Sequence, residues 1–221
     1  MSQAATSSPP TERAATTIDS ASIEFVTLEV TDPPSAEVFY AAAFGLGGLI
    51  RLRPAESPTS GFRGFTLSLI VSQPADVDAL VGAALDAGAT ALKPVEKSLW
   101  GYGGVVQAPD GAIWKVATSK KKNSRPASRD VDQIVLLLGA ADVLASKRFY
   151  SDQGLTVSRS LARTYVEFAG ERSKIKLALY KRRALAKDAG VPPDGSGSHR
   201  IVIHGNAGLF TDPDEFVWRA A

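Results

Sequence analysis

Two tryptophan-cation pairs, Trp114-Lys115 and Trp218-Arg219, each follow a Pro-Asp turn, in WGYGGVVQAPDGAIWKVA (100–117) and LFTDPDEFVWRAA (209–221). A cation fixed on a strand can hold an anionic or carbonyl oxygen, and a lysine becomes a general base if desolvation lowers its pKa. The plainer alternative is a rim cation that pairs with a carboxylate or reaches solvent along its own stem. Trp100, Tyr102, Trp114 and Trp218 can wall a pocket for a planar ligand, or serve as core. The only histidines, His199 and His204, stand five apart in HRIVIH, so alternation sends them to opposite faces and they cannot share a metal. Glu24, Glu29 and Glu167 fall on expected strands, where alternation leaves each free to point in or out.

The absence of cysteine excludes disulfides, thiolate nucleophiles and cysteine metal ligands, and suits a reducing cytoplasm. With 25 basic and 23 acidic residues, the charge balance indicates neither a nucleic-acid nor a membrane partner. The cations Lys174, Lys176, Lys181, Arg182, Arg183 and Lys187 read as a solvated face. GLGGL at 45–49 follows a helix, whereas a dinucleotide loop must follow a strand, so it is no cofactor fingerprint. No run approaches the roughly 20 apolar residues that span a bilayer.

The elements that must position these residues are legible from their periods. IEFVTLEV is a β-branched strand that Asp32-Pro33-Pro34 stops, and Ala36, Phe39, Tyr40, Ala43 and Phe44 then make one buried helix face. A strand near Leu49–Arg53, the strand FTLSLIV and a helix with Val77, Leu80, Val81, Ala84 and Leu85 on one stripe follow. Lys93–Val95 reads as a short strand. Later, QIVLLLG, TYVEFAG, KIKLALY and HRIVIHG are strands, AADVLASKRFYSDQG is a helix, and RRALAKDAG is a short helix before the loop VPPDGSGS.

The order repeats: Phe39-Tyr40 matches Phe149-Tyr150, Gly61 matches Gly197, and Trp114 matches Trp218. The second copy gains two strands and a loop between the first landmarks and lacks the counterpart of the 75–88 helix. This divides the chain into a disordered tail (1–21) without a secretory-signal pattern, a first domain (22–118), a basic solvated linker (119–130) and a second domain (131–221).

VTLEV with FY at a helix end, GFTLSLIV before a helix with DAGA, and WGYGGVVQAPDGAIWKVA resemble the glyoxalase/bleomycin-resistance/dioxygenase group, the vicinal oxygen chelate superfamily. LALYKRRALAKDAGVPPDGSGS resembles the connection between two of its modules. The resemblance covers about 23–119 and 131–221. It implies an α+β fold of tandem glyoxalase-like domains built from βαβββ modules, each partly trimmed, and packed so that each covers edges the other leaves open.

The resemblance also implies a divalent metal held by His, Gln and Glu, which polarises adjacent substrate oxygens. The corresponding positions here are Phe25, Thr66 and Lys115 in the first half, and Gln133, Ala178, Val202 and Arg219 in the second. Phe25 cannot ligate and Lys115 repels a cation in the first half, and in the second half only Gln133 could donate an oxygen, so no metal and no other cofactor is expected. The reading that results is a metal-free protein that binds or sequesters a small organic ligand in an aromatic cleft lined by Trp100, Tyr102, Lys115, Gln133 and Trp218. Two alternatives stay open: a metal-dependent lyase or dioxygenase with unconventional ligands such as Gln133 and Glu167, and a protein-interaction module whose cleft is closed. Expected partners are the small ligand, with no nucleic acid and no membrane, and a homodimer is left open.

Overall fold

The computed structural model describes residues 21–99, 101–170 and 173–221, so the tail before Ala21 and Trp100 lie outside the described residues. Four modules follow one another. The first is β1 (Ile23–Val30), α1 (Pro33–Ala43), β2 (Ile50–Pro54) and β3 (Thr59–Gly61). Asp32 caps α1, its Oδ1 accepting from Ser35 N at 3.2 Å, and Pro33 supplies the pre-set φ of a first helical turn. Gly45 ends the helix region at φ +62, a conformation open to glycine. The GLGGL stretch forms a single 3-10 turn at Gly47–Leu49, far from any phosphate-binding geometry.

The second module is complete: β4 (Phe65–Ile70), α2 (Pro74–Asp86), β5 (Thr90–Ser98), β6 (Gly101–Gln107) and β7 (Ile113–Thr118). So is the third, with β8 (Gln133–Ala140), α3 (Val143–Asp152), β9 (Val157–Leu161), β10 (Tyr165–Phe168) and β11 (Ile175–Lys181). A short helix, α4 (Arg182–Ala189), and β12 (Gly195–Gly197) lead to the trimmed fourth module, β13 (Ile201–Gly205), β14 (Phe210–Thr211) and β15 (Val217–Ala220). The expected strand at Lys93–Val95 is the middle of the longer edge strand β5, and β9 was not anticipated, because its VSRSL carries no apolar run.

Within each complete module the first and last strands pair in parallel: β4 with β7 and β8 with β11. Between modules the first strands pair antiparallel, and here the halves interlock. β4 pairs β8, joining the second module to the third, and β1 pairs β13, joining the first to the fourth. The edges that each half leaves open are thus covered by strands of the other, and the cover is strand pairing: β1 and β13, without full sheets of their own, complete each other across the chain. The two pairs meet where Ile23 opposes Ile175, giving one 13-stranded sheet, while β3 and β12 form a separate ribbon.

Helices α1, α2 and α3 cover one face of this sheet. Phe39, Tyr40 and Ala43 of α1, Val77, Leu80 and Ala84 of α2 and Tyr150 of α3 share one apolar cluster with alternate residues of the strands. Trp114 and Trp218 lie in it, both at 0% exposure. The segment 119–130 is exposed along nearly its whole length, yet it is held in place. Gln73 Oε1 accepts from Ser124 N at 2.8 Å, the Asp76 carboxylate accepts from Ser128 N at 2.7 Å and Arg125 Nη2 at 2.9 Å, and Asn123 Oδ1 accepts from Ala75 N at 2.8 Å. Polar side chains on α2 thus fix a segment that has almost no apolar side chain to bury. Among the described residues no helix is long and apolar enough to cross a membrane.

Candidate functional site

Strand alternation gives the sheet a second face, turned away from α1–α3. On the inner module pair this face carries Lys115, Thr66, Ser68, Leu137 and Ala178, with Thr66, Leu137 and Ala178 in one cross-strand row. It is covered by α4. Leu185, Ala186 and Ala189 pack on Phe62, Val105 and Ile113, with Leu137 and Tyr180 beside them. Arg182 Nη2 donates to Phe62 O at 2.7 Å and Lys93 Nζ to Lys187 O at 2.9 Å, which tie both ends of the helix down. Gly190 closes it in the left-handed conformation at φ +81.

Asp188 lies in the last turn of α4, where the helix dipole disfavours an anion. Lys115 Nζ reaches it at 2.8 Å. Both side chains are over a third exposed, 35% and 40%, so the pair contributes at most about 1 kcal/mol. Beside the pair, Lys93, Glu96, Gly101, Tyr102, Gly103 and Val105 complete a pocket of about 290 Å³.

Of the five residues expected to line an aromatic cleft, the structure brings Tyr102 and Lys115 to this pocket. Tyr102 turns its ring toward the helices, its hydroxyl donating to Asp78 Oδ1 at 2.8 Å, so it offers the pocket its strand and not its aromatic face. Trp218 is no cleft residue. Its indole is wholly buried and its Nε1 donates to the Tyr150 hydroxyl at 3.2 Å. Gln133 sits opposite Ile70 at the start of β8, its Nε2 donating to the main-chain oxygens of Lys174 at 2.5 Å and Ser173 at 3.3 Å. Trp100 lies outside the described residues. The glycines of WGYGG serve strand pairing: a Cβ on Gly101 would collide with the Thr118 carbonyl oxygen, and one on Gly103 would come within 2.7 Å of Val116 O.

The outer pair presents a second such face on β2, β1, β13 and β15. Register places Phe25 opposite His204 and His204 opposite Arg219, and it sets Arg51 opposite Thr27 and Arg53 opposite Glu29. The Phe25 ring stacks on the His204 imidazole at 4.2 Å, and the Arg51 guanidinium carbon lies 3.4 Å from the Phe25 centroid. Thr27 Oγ1 and His204 Nε2 are hydrogen-bonded at 3.1 Å, while Arg53 pairs with Glu29. Burial first, then the guanidinium charges of Arg51, Arg219 and Arg53, hold His204 below the ordinary histidine value. Of these groups sequence reasoning considered Arg219, His204 and Glu29 singly and missed Arg51. The alternation in IRLRP, which puts Arg51 and Arg53 on one face, was the available signal.

The other histidine is structural: His199 Nδ1 is hydrogen-bonded to Arg63 O at 2.5 Å, Nε2 to Asp214 O at 2.9 Å, and the ring stacks on Phe216 at 4.0 Å. Glu24 is exposed, and Glu167 accepts from the Tyr165 hydroxyl at 3.0 Å.

The donors that the resemblance implies for a divalent metal are mostly missing here. Phe25, Ala178 and Val202 have none, Lys115 and Arg219 are cations where it implies a carboxylate, and the Thr66 hydroxyl and the Gln133 amide oxygen are the two oxygens left. Among the described residues no three His, Asp or Glu side chains converge as a ligand set.

No family model matches the chain. No curated protein matches it either. Solved structures do match. A glyoxalase I mutant from Zea mays superposes with TM-score 0.57 at 15% identity, covering 90% of this chain and 91% of that one. A putative dioxygenase from Bacillus subtilis gives 0.58 at 12%, covering 90% and 84%. A further structure of glyoxalase I from Zea mays gives 0.55 at 16%, covering 85% and 75%. The chain therefore has the vicinal oxygen chelate fold over nearly all its described length, as its motifs suggested.

Proposed function

We propose that this protein binds a small organic ligand without a metal ion, in the pocket that Lys115 and Asp188 border beside α4. The observation that supports the reading is the Lys115–Asp188 pair. At the strand position where chelation would call for a carboxylate, an ammonium is held by a carboxylate from another module at 2.8 Å. Both groups are partly exposed, so a carboxylate or carbonyl oxygen of a ligand can exchange with Asp188 on Lys115 at small cost. No reaction is assigned to the site.

The test combines elemental analysis after incubation with nickel, zinc, manganese and iron(II) with an NMR screen of small carboxylic acids and ketones. The reading expects less than stoichiometric metal, and ligand contacts in the wild type that disappear in Lys115→Met. About one metal per chain, lost in Gln133→Ala, would overturn it.

The complete burial of Leu185 and Ala186 favours a second reading, in which α4 permanently closes the face and the protein acts through its surface. Under that reading no compound in the screen contacts Lys115.

A further inference from the structure

We propose that the outer face formed by β2, β1, β13 and β15 is a second binding site, independent of the Lys115 pocket, for a small oxyanion carried by a carboxylate or a phosphate. Four adjacent strands contribute to it from residues 25 to 219. Arg51 comes from β2, Phe25 and Thr27 from β1, His204 from β13 and Arg219 from β15. Adjacent strands are about 4.8 Å apart, so Arg51 and Arg219 stand three strand spacings from each other. Arginine side chains span such a gap from both ends, with Thr27 and His204 between them.

The charge on this face is unbalanced. Arg53 is neutralised by Glu29, but among the described residues neither Arg51 nor Arg219 has a carboxylate within 4.0 Å. The groups that face His204 are Arg51 and Arg53 from β2, Thr27 and Glu29 from β1, and Arg219 from β15, a net excess of two positive charges around one imidazole. Below them lies an apolar floor in which Phe25 and Val202 are 8% and 3% exposed.

Stacking on Phe25 limits the freedom of the Arg51 guanidinium, and a pre-oriented fork loses less entropy on meeting an oxyanion. Guanidinium N–H groups, with the Thr27 hydroxyl and the imidazole that it is bonded to, form a donor set for an oxyanion, and the unpaired guanidinium charges repel a metal cation. The site also lies on strands, which position side chains more firmly than loops.

The chain reports on this site itself, because it has two histidines and His199 is locked between Arg63 O and Asp214 O away from the face. The experiment is a proton NMR titration of both imidazoles in the full chain with succinate and, separately, with inorganic phosphate. An anion between Arg51 and Arg219 offsets their charge, so the His204 pKa should rise by about half a unit or more, and binding should tighten as pH falls. His199 should not respond.

In the Arg51→Gln/Arg219→Gln variant, whose exposed substitutions leave the floor intact, apparent affinity should fall about tenfold or more. Saturation by succinate alone assigns the site to carboxylic acids, and saturation by phosphate alone assigns it to phosphate esters. Saturation by both assigns it to either. Two results would overturn the proposal: no saturable shift of His204 with either anion, or a saturable shift that the double variant retains.

Discussion

The Tyr40 hydroxyl donates to Asp110 Oδ2 at 2.8 Å, tying α1 of the first module to the β6–β7 turn of the second. The same stitch recurs between the third and fourth modules, where the Tyr150 hydroxyl donates to Asp212 Oδ2 at 2.7 Å. Each tyrosine also packs on its hairpin tryptophan, Tyr40 on Trp114 at 5.6 Å and Tyr150 on Trp218 at 5.8 Å. The hairpin is present twice because each helix needs one to close against, and the cation after each tryptophan falls on the opposite face by alternation.

These two tyrosines each lower stability at alkaline pH. Burial first, then the neighbouring carboxylate, raises both phenols well above the ordinary tyrosine value. The unfolded chain releases these protons near pH 10 and the folded one does not, so stability is full below about pH 10 and falls by about 1.4 kcal/mol per pH unit per tyrosine above it. Urea unfolding followed between pH 8 and 11.5 should show this slope, and Tyr40→Phe or Tyr150→Phe should each remove one tyrosine's share. An unchanged slope in both variants would contradict the assignment.

Asp76 is a wholly buried carboxylate that holds segment 119–130 through Ser128 N and Arg125. Asp76→Ala should cost about 2 kcal/mol, read from urea midpoints, because it removes the charged acceptor shared by Ser128 N and the Arg125 guanidinium. Limited trypsin digestion should then cut first among Lys120, Lys121, Lys122 and Arg125. Equal resistance to wild type would show that the segment is held by other means.

Leu185 anchors α4 on the inner face. Leu185→Asp buries a carboxylate without a partner, so the helix should undock while the modules stay folded. Hydrogen exchange should accelerate across 182–190 and leave β4 and β8 protected. If protection is lost throughout, α4 is part of the cooperative core and not a cover laid over it.

Lys115→Met should alter folding stability by less than about 1 kcal/mol, since the pair it breaks is half in solvent. The same change should abolish carbonyl and carboxylate binding in the pocket. A large loss of stability with intact ligand binding would reverse both roles.

Local elements were readable because each has a period and a stop. The stripe at Phe39, Tyr40 and Ala43 is buried as expected, and the Pro74 helix begins where proline allows. What stayed hidden is set by partners remote in sequence. Nothing in IEFVTLEV says that β1 pairs with a strand almost 180 residues later, and nothing in GYGG says which way Tyr102 turns. Buried aromatics were the hardest case, because a tryptophan beside a cation reads the same in a cleft and in a core. Trp218 lies in the core.

Strand pairing joins the second module to the third and the fourth to the first, while the tyrosine stitches join the first to the second and the third to the fourth. Together they make a hoop of four seams with no loose end. A linear array can fray from its termini, but here releasing any one module means opening two seams at once, and opening one alone frees nothing. Denaturation should therefore proceed as a single all-or-none event, with no stage at which half the molecule survives.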